Sequence, residues 1–484
     1  MATPIPKNAA SFTFGEIAAA CSGQLRGAAP AGEAHGVTSD SRALQPGELY
    51  VALKGEHHDG HAFLAHAQAA GASAAIVSDA AAAPEGLPLI VVADPRRALG
   101  DLARAHRRRW AGQLLAITGS AGKTTTKELT AVALASAGRR VLATHGNLNN
   151  DIGLPMTLFG LSREHDAAVV EIGTSGPGEI ARLSEICEPN AGIVTTVALA
   201  HVERLTSLDA VADEKCALLR ALPGDGVAIY GRDSAQLEAR RSSFTAGRVI
   251  GFGEAEGSDL RLTRRELRAD MTTRCVLQLA DPAGEYELQL KLFGSGPALD
   301  AAAALALVFA WHGADALPLA AAALAAVEPP PGRMRPYRGR GESLIVDDTY
   351  NANPASMRSS IGALTELARL RKGRGVAVLG DMAELGAQAE AEHARLGVLL
   401  AQAGVAEAYL CGPLMAHAAQ AARAEVKRKR AKGPHVEHQD DAQRALPELM
   451  RSLAAQDVVL VKGSRAMRME TVVDALRAGK GASS

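Results

Sequence analysis

The chain has 484 residues, more than a single hydrophobic core usually spans, so we expect two to four domains of about 150 residues each. Apolar residues make up 47% of the chain and charged residues 22%, a balance that excludes extensive disorder and fits a multidomain enzyme. The 52 lysine and arginine residues nearly balance the 53 aspartate and glutamate residues, and the net charge of −1 excludes a general attraction to nucleic acid or to an anionic membrane.

The first predicted elements belong to a small α/β domain. Short apolar runs alternate with helical patterns there, and we expect strands at 48–53, 74–78 and 88–93 and helices at 63–70 and 96–110. The Ala111-Gly112 dipeptide offers a boundary, so we assign this domain to residues 1–111.

The most informative segment is Thr118-Gly-Ser-Ala-Gly-Lys-Thr-Thr125, which follows the apolar run 114–117 and precedes a helical pattern. A strand, a glycine-rich loop and a helix N-terminus form a cradle for phosphate, because backbone N–H groups point at the anion and the helix dipole favours it. Lys123 is expected to reach the β- and γ-phosphates, and Thr124 to offer its hydroxyl to Mg²⁺. The sequence therefore predicts a site for a nucleoside triphosphate.

This loop opens a second domain, which we assign to residues 112–332. Strand-like runs alternate with helical patterns, which predicts a mostly parallel sheet with helices on both faces and an antiparallel hairpin over 275–292 at its edge. The rigid segment Pro329-Pro330-Pro331-Gly332 ends the domain and links it to the next one.

A third domain, over residues 333–484, is predicted to be Rossmann-like. Strands are expected at 344–348, 376–380, 408–411 and 458–462, with helices between them. The basic run Lys427–Arg430 has no aromatic neighbours, so we expect a solvated loop and no nucleic-acid site. The predicted fold class is α/β in all three domains.

Three residues of the second domain are candidates to hold a metal beside the triphosphate. Glu171 interrupts an apolar run, where a charge is costly unless it meets a cation or hydrogen-bond donors. His201 follows the next predicted strand and is a candidate for a second metal or for phosphate, although a lone histidine in a loop often has no such role. Lys215 lies inside the apolar stripe of helix 208–222. It either reaches the surface along that stripe or points into the cleft, where a neutral amine could take up CO₂ and become a carbamate ligand for Mg²⁺.

Two loops rich in asparagine are candidate substrate-binding sites. Asn147, Asn149 and Asn150 follow one predicted strand, and Asn351 and Asn353 follow the first strand of the third domain. Ordinary turn chemistry accounts for one or two such residues, whereas a dense set of amides followed by glycine or proline is typical of a polar recognition loop. Two such loops facing one cleft would suit a polar peptide or sugar substrate.

Together these motifs resemble those of the Mur ligase family. The similar segments are 118–124, 146–155, 171–173, 347–354, 380–386 and 461–465, and in the first domain 39–42, 46–47 and 51–55. The resemblance covers nearly the whole chain. Tyr350-Asn-Ala-Asn-Pro354 and Asp381-Met-Ala-Glu-Leu-Gly386 are most similar to the family member that adds a D-alanyl-D-alanine dipeptide.

The resemblance implies a domain for a UDP-sugar, a central ATPase domain and a Rossmann-like domain that closes over the cleft. It also implies that ATP phosphorylates the terminal carboxylate of UDP-N-acetylmuramoyl-tripeptide, and that the amine of D-alanyl-D-alanine then attacks the acyl phosphate. ATP and Mg²⁺ are the expected cofactors. The setting would be peptidoglycan precursor synthesis.

By position, the resemblance also implies residue roles. The phosphates would be bound by Gly119, Ser120, Ala121, Gly122, Lys123, Thr124 and Thr125. The metal ligands would be Thr124, Glu171, His201 and a carbamylated Lys215, and Lys123 would join the last three in catalysis. Arg333 and Asp347 would contact ATP, and Ser41, Arg42, Lys54 and Gly55 would contact the UDP-sugar, with Asn351 and Asn353 near the dipeptide.

One segment departs from the family pattern. Relatives usually have Gly-x-His-Asn-x-x-Asn where this chain has Gly294-Ser-Gly-Pro-Ala-Leu-Asp300. The amide that would normally lie near adenine is therefore missing, and contacts to the base are expected to come from elsewhere.

The remaining expectations concern the setting and the alternatives. The five cysteines are scattered, no Cys-x-x-Cys pair occurs, and neither a signal peptide nor a long apolar run is present, so we expect a cytoplasmic monomer with reduced thiols and no membrane insertion. A family member that adds a single amino acid, or glutamate to folate, would share the ATPase half. A nucleotide-regulated binding module stays a second alternative, and the third residue of the tripeptide, lysine or diaminopimelate, stays open.

Overall fold

The computed structural model describes residues 3–27, 32–55, 58–199, 202–205, 207–268, 270–429 and 433–477. Within these residues the chain forms sheets of five, nine and six strands and a separate two-stranded pair. The three larger sheets follow one another along the sequence without exchanging strands.

The first sheet has the strand order β2-β7-β6-β5-β4 and is parallel except for the pairing of β2 with β7. The elements are β1 (Ser11–Thr13), α1 (Phe14–Ala20), β2 (Gln24–Arg26), β3 (Glu33–His35), β4 (Val37–Thr38), β5 (Leu49–Val51), α2 (Leu64–Ala69), β6 (Ala74–Val77), β7 (Leu89–Val91) and α3 (Pro95–Arg108). Helix α3 begins after Asp94, whose carboxylate accepts a hydrogen bond from the N–H of Arg96 at 2.8 Å. Its apolar face packs against helices of the next region, so the two regions share one core.

The second sheet has the order β16-β15-β14-β13-β12-β11-β8-β10-β9, parallel from β14 to β9 and antiparallel from β14 to β16. The strands are β8 (Gln113–Thr118), β9 (Val141–Ala143), β10 (Ala167–Glu171), β11 (Ala191–Val194), β12 (Val227–Gly231), β13 (Arg248–Gly253), β14 (Leu260–Leu267), β15 (Thr273–Leu279) and β16 (Gly284–Leu290). The helices are α4 (Lys123–Ser136), α5 (Gly153–Leu158), α6 (Glu179–Cys187), α7 (Val202–Leu205), α8 (Leu208–Arg220), α9 (Ala235–Glu238), α10 (Ser295–His312) and α11 (Leu317–Leu324). Strands β8, β10 and β11 are apolar along almost their whole length because helices cover both faces of a parallel sheet.

The third sheet has the order β17-β18-β22-β19-β20-β21, with only its edge strand β17 antiparallel. The elements are β17 (Arg335–Arg338), β18 (Leu344–Asp348), α12 (Pro354–Arg371), β19 (Gly375–Gly380), α13 (Ala389–Gln402), β20 (Glu407–Cys411), α14 (Met415–Lys429), β21 (His435–Gln439), α15 (Leu446–Ser452), β22 (Val458–Lys462) and α16 (Glu470–Leu476). Strand β22 lies between β18 and β19 although it is last in the chain, so the ends of distant segments come together there.

The α/β class and the mostly parallel sheets confirm the sequence prediction, and the expected hairpin is present as β15 and β16. The boundaries proposed at 111/112 and 332/333 fall between sheets and stay predictions. Strands β14, β17 and β21 were not predicted, because charged and polar residues occupy much of each and weaken the apolar signal. Among the described residues, no helix is both long and apolar enough to cross a bilayer.

The loop predicted at the basic run is wrong for the part that the structure describes. Lys427 to Lys429 form the last turn of α14. Arg428 donates to the carboxylate of Glu425 at 2.8 Å, and basic side chains near a helix C-terminus also interact favourably with the helix dipole. Arg430 lies outside the described residues.

Candidate active site

The phosphate loop connects β8 to α4. Gly122, at the start of the helix, has a φ angle of 83°, a conformation that side-chain-bearing residues rarely adopt. A Cβ atom at this position would lie 2.2 Å from Oδ1 of Asp300, so space also requires glycine. Because α4 begins at Lys123, the N–H groups of its first turn and the positive end of its dipole lie beside the loop. This end of the sheet is therefore suited to an anion.

Lys123 and Ser120 fix the loop through hydrogen bonds to backbone carbonyls. Nζ of Lys123 donates to the carbonyl of Gly119 at 2.8 Å, and Oγ of Ser120 donates to the carbonyl of Ala198 at 2.9 Å. Burial lowers the pKa of Lys123, an effect that the nearby carboxylate of Glu171 opposes. A bound phosphate would stabilise the ammonium form that burial disfavours.

Glu171 is the centre of the predicted metal site. It ends β10, is 2% exposed, and accepts hydrogen bonds from Oγ1 of Thr124 at 2.6 Å and from Nδ2 of Asn149 at 2.7 Å. A hydroxyl and a carboxylate thus lie together beside the phosphate loop, and oxygen atoms of these kinds are the ligands that Mg²⁺ prefers. His201, predicted for the same site, lies outside the described residues.

Lys215 lines the cleft and does not reach the surface. It lies on α8 and is 2% exposed. Burial and the neighbouring ammonium of Lys123 lower its pKa to about 7, although the carboxylate of Glu214 acts in the opposite direction. Glu214 itself accepts hydrogen bonds from the N–H groups of Gly178 and Ile180, both at 2.7 Å. Near neutral pH, part of the Lys215 population therefore carries the neutral amine.

The third region approaches the phosphate loop from the opposite side. Nδ2 of Asn353 donates to the carbonyl of Ser120 at 3.2 Å, and Oδ1 of the same side chain caps α12 by accepting from the N–H of Ser356 at 2.9 Å. The guanidinium of Arg333 stacks on the ring of Tyr350, 4.0 Å from its centroid. The hydrogen bond from Asn353 to Ser120 joins the two regions across one opening, and the stacked pair lies on the side of the third region.

Asp347 lies behind the side of the opening that the third region forms, and it supports that side. Its carboxylate accepts hydrogen bonds from the N–H of Gly332 at 3.2 Å and from Oγ1 of Thr349 at 2.7 Å. Burial raises the pKa of Asp347, and these hydrogen bonds oppose that effect. The side chain thus holds the segment that carries Arg333, while Arg333 itself lines the cleft.

The opening is a cleft of about 590 Å³. The sequence-predicted residues that line it are Ser120, Ala121, Gly122, Lys123, Thr124, Thr125, Asn147, Asn149, Asn150, Glu171, Lys215, Arg333, Asn351 and Asn353. Gly119 and Asp347 do not line the cleft, but Gly119 accepts a hydrogen bond from Lys123, and Asp347 accepts one from Gly332, which lines the cleft. Most of the predicted phosphate, metal and dipeptide residues therefore meet in one place.

The residues predicted for the UDP-sugar do not line this cleft. Ser41 is buried, and Arg42 is exposed and forms an ion pair with Asp40 at 2.8 Å. Lys54 lies 3.8 Å from the carboxylate of Asp59 and lines a separate cavity of about 420 Å³ in the first region. The N–H of Gly55 donates to the carbonyl of His58 at 2.8 Å.

The first region nevertheless contacts the asparagine loop of the cleft. Oγ1 of Thr3 donates to Oδ1 of Asn147 at 2.5 Å, and Arg96 forms an ion pair with Asp151 at 2.5 Å. A substrate that extends from the first region to the cleft would pass this junction.

Sequence reasoning missed two charged residues of the cleft, Asp348 and Lys462. They end the neighbouring strands β18 and β22, and Nζ of Lys462 donates to Oδ2 of Asp348 at 2.6 Å. The signal that identified Glu171, a charged residue at the end of an apolar strand, is present at Lys462 too.

Asp300, at the departure from the family pattern, accepts a hydrogen bond from Thr126 at 3.1 Å, and burial raises its pKa to about 8.

Three family models match consecutive parts of the chain. Residues 33–107 match the model described as Mur ligase family, catalytic domain. Residues 117–308 match the Mur ligase middle domain, and residues 332–465 match the Mur ligase, glutamate ligase domain.

Individual relatives are similar over nearly their whole length. The chain is 38% identical to the UDP-N-acetylmuramoyl-tripeptide–D-alanyl-D-alanine ligase of Escherichia coli (strain K12), over 96% of this chain and 98% of that one. A crystal structure of MurF from Acinetobacter baumannii superposes with a TM-score of 0.85 at 30% identity and covers 97% of this chain and 99% of that one. MurF ligase from Thermotoga maritima, in complex with ADP, has a TM-score of 0.80 at 28% identity and covers 91% and 96%.

Proposed function

Because the chain belongs to the Mur ligase family, we propose that it is the ATP-dependent, ADP-forming ligase that joins D-alanyl-D-alanine to UDP-N-acetylmuramoyl-tripeptide. The observation that carries this proposal is the meeting of the phosphate loop with the loop of Asn351 and Asn353 across one cleft, through the hydrogen bond from Asn353 to Ser120. The E. coli relative bears this activity in its name, and the T. maritima relative is complexed with ADP.

The first chemical step activates a carboxylate, which is otherwise a poor electrophile. An oxygen of the terminal carboxylate of the tripeptide attacks the γ-phosphorus of ATP, the bond to the β,γ-bridging oxygen breaks, and ADP leaves with that electron pair. Catalysis of phosphoryl transfer depends chiefly on positioning and on charge stabilisation. Lys123 supplies a cation at the phosphate loop, and the N–H groups at the start of α4 supply further hydrogen-bond donors.

The residues around Glu171 fit a magnesium ion, because a carboxylate and a hydroxyl 2.6 Å apart adjoin the phosphate loop. Thr124 and Glu171 would hold the ion, with His201 and a carbamylated Lys215 proposed for a second one. Bound Mg²⁺ would neutralise charge on the phosphate groups. Thr124, Glu171 and Asn149 are already ordered by their mutual hydrogen bonds.

The second step forms the amide bond. The amine of D-alanyl-D-alanine attacks the carbonyl carbon of the acyl phosphate, the carbon–oxygen bond to phosphate breaks, and the nitrogen loses a proton. Asn351 and Asn353 lie on the wall from which the dipeptide would approach, and closure of that wall excludes water that would otherwise hydrolyse the acyl phosphate.

The remaining parts of the proposal concern organisation and setting. We assign UDP-sugar binding to residues 1–111, where Ser41, Arg42, Lys54 and Gly55 would contribute, ATP binding to 112–332 and closure to 333–484. The separate cavity beside Lys54 supports a binding role for the first region. The protein is proposed to act as a cytoplasmic monomer in peptidoglycan precursor synthesis, without a nucleic-acid partner.

The test is ADP release by the purified full-length chain with ATP and Mg²⁺. We expect ADP, phosphate and a pentapeptide product only when UDP-N-acetylmuramoyl-tripeptide and D-alanyl-D-alanine are both present. Tripeptides ending in lysine and in diaminopimelate are assayed side by side, which identifies the third residue. A preference for a single amino acid such as L-glutamate or diaminopimelate would contradict the acceptor assignment. ATP binding without ligation under any of these conditions would instead favour a nucleotide-regulated binding module.

A further inference from the structure

A buried ion pair at the carboxyl ends of two neighbouring strands of the third sheet has no role in the chemistry proposed above. Asp348 and Lys462 are paired in register at the carboxyl ends of β18 and β22, and both line the cleft. Lys462 is 2% exposed and Asp348 is 8% exposed. Burying two charges costs desolvation energy that the mutual attraction of a pair often only balances, so a gain in stability does not by itself explain them.

Lys462 links this pair to the loop proposed to lie near the dipeptide. Besides donating to Asp348 at 2.6 Å, its Nζ donates to the backbone carbonyl of Asn351 at 2.9 Å. This bond fixes the backbone of the loop that carries Asn351 and Asn353. An ammonium group has three N–H donors in a compact arrangement, so it can hold a carboxylate and a carbonyl at once.

Asp348 links the same pair to the segment that carries Arg333. Its Oδ1 accepts a hydrogen bond from the N–H of Met334 at 3.2 Å, and its Oδ2 accepts from Oγ of Ser360 at 2.6 Å in addition to Lys462. Met334 has a φ angle of 56°, which is unfavourable for a residue with a side chain and requires support from its surroundings. The carboxylate thus holds a strained residue directly after Arg333.

We propose that Asp348 and Lys462 are positioning residues that hold the Arg333 segment and the Asn351 loop in one arrangement, and so set the affinity for the D-alanyl-D-alanine acceptor and for ATP. This inference rests on the proposed function. The two held segments also meet through the stacking of Arg333 on Tyr350, so a shift in one is transmitted to the other. The residues proposed for the UDP-sugar lie outside this unit.

The experiment compares steady-state kinetics of Lys462→Met, Asp348→Asn and the double variant with those of the wild-type chain. We expect each single variant to raise KM for D-alanyl-D-alanine and for ATP about tenfold, the scale of losing a charge-assisted hydrogen bond, and to leave KM for UDP-N-acetylmuramoyl-tripeptide within about twofold. The double variant removes both charges and leaves neither unpaired, so its effect should be smaller than the product of the single effects. Lys427→Met, on the exposed face of α14, is the matched control and should behave as wild type.

If the pair had only a structural role, the variants would lower the active fraction and therefore kcat, while every KM stayed the same; that result would overturn the proposal. The proposal would also be overturned if the KM increase of the double variant equalled the product of the increases of the two single variants. If Lys462→Met does not fold, as judged by its thermal unfolding, Ser360→Ala removes one hydrogen bond to Asp348 without changing charge. It should raise the same two KM values by a smaller factor, and unchanged values would again contradict the inference. Failure of the proposed function is recognised separately, because the wild-type chain would then form no ligation product.

Discussion

The phosphate-loop wall of the cleft and the opposite wall, which the third region forms, stabilise their buried charges in different ways. On the phosphate-loop wall, burial lowers the pKa values of Lys123 and Lys215, so their ammonium forms are disfavoured in the absence of an anion. On the opposite wall, Lys462 is already paired with Asp348 at 2.6 Å, and Arg333 is stacked on Tyr350. The comparison indicates that the first wall gains most from binding a polyanion, whereas the cations of the second wall have partners within the protein.

The largest effect expected from this difference is that of Lys123→Ala. Removing this cation takes away charge stabilisation for the transferred phosphoryl group, so we expect the rate of ADP formation to fall by about a thousandfold. The measurement is ADP release with both peptide substrates at saturation, and Lys427→Ala serves as the control for loss of a lysine. Amide formation at an undiminished rate would show that the phosphate-loop wall is not the catalytic one.

Lys215→Ala tests whether the second lysine of the same wall acts as a carbamate. The neutral amine that its lowered pKa provides can add to CO₂, forming a nitrogen–carbon bond and releasing a proton. We expect the variant to lose about a hundredfold in rate and to recover part of it when short carboxylates are added, because these can occupy the vacated space. Intact-mass spectrometry of the native wild-type chain should show the mass of one added CO₂, which Lys215→Ala should lack. Failure of every carboxylate to restore activity, together with an unmodified wild-type mass, would contradict the carbamate.

Asn353 allows the contact between the two walls to be tested separately from the fold. Its Oδ1 caps α12, whereas its Nδ2 reaches Ser120 on the other wall. Asn353→Ser retains a capping hydroxyl but loses the donor, so we expect nearly unchanged thermal stability and a severalfold rise in KM for ATP. Asn353→Ala should show the same kinetic change and lose about 1 kcal/mol of stability as well. Equal kinetics for wild type and Asn353→Ser would mean that the cross-cleft bond has no role in binding.

The first wall could be predicted from the sequence because its signals are local. The glycine, lysine and threonine of the phosphate loop are consecutive, and Glu171 and Lys215 are charged residues at apolar positions of single elements. The second wall depends on pairs that are far apart in the chain: 114 residues separate Asp348 from Lys462, and 233 separate Ser120 from Asn353. Their contacts follow from the insertion of β22 beside β18 and from the packing of one sheet against another, which no short window of sequence specifies.

The smallest effect concerns Asp300, the carboxyl group that departs from the family pattern behind the phosphate loop. Burial raises its pKa to about 8, so the folded chain binds this proton more tightly than the unfolded chain does. As pH rises from about 4 to about 8, the unfolded state loses the proton first and the free energy of unfolding falls; below this window Asp300 has no pH-dependent effect. Asp300→Asn should therefore raise the thermal unfolding temperature by a few degrees at pH 8 and by much less at pH 4.

The control for this prediction is Asp315→Asn, a change of the same kind outside the cleft, which reports how much the substitution of aspartate by asparagine itself alters the unfolding temperature. Asp300→Asn also keeps a carbonyl oxygen that can accept from Thr126, so the hydrogen bond at 3.1 Å is retained while the charge is removed. A stabilisation by Asp300→Asn that is equal at both pH values would mean that the pKa of Asp300 is the same in the folded and unfolded chains, which would contradict the raised pKa. The phosphate-loop wall would then hold a buried negative charge behind Gly122 at neutral pH, and the difference between the two walls would be smaller.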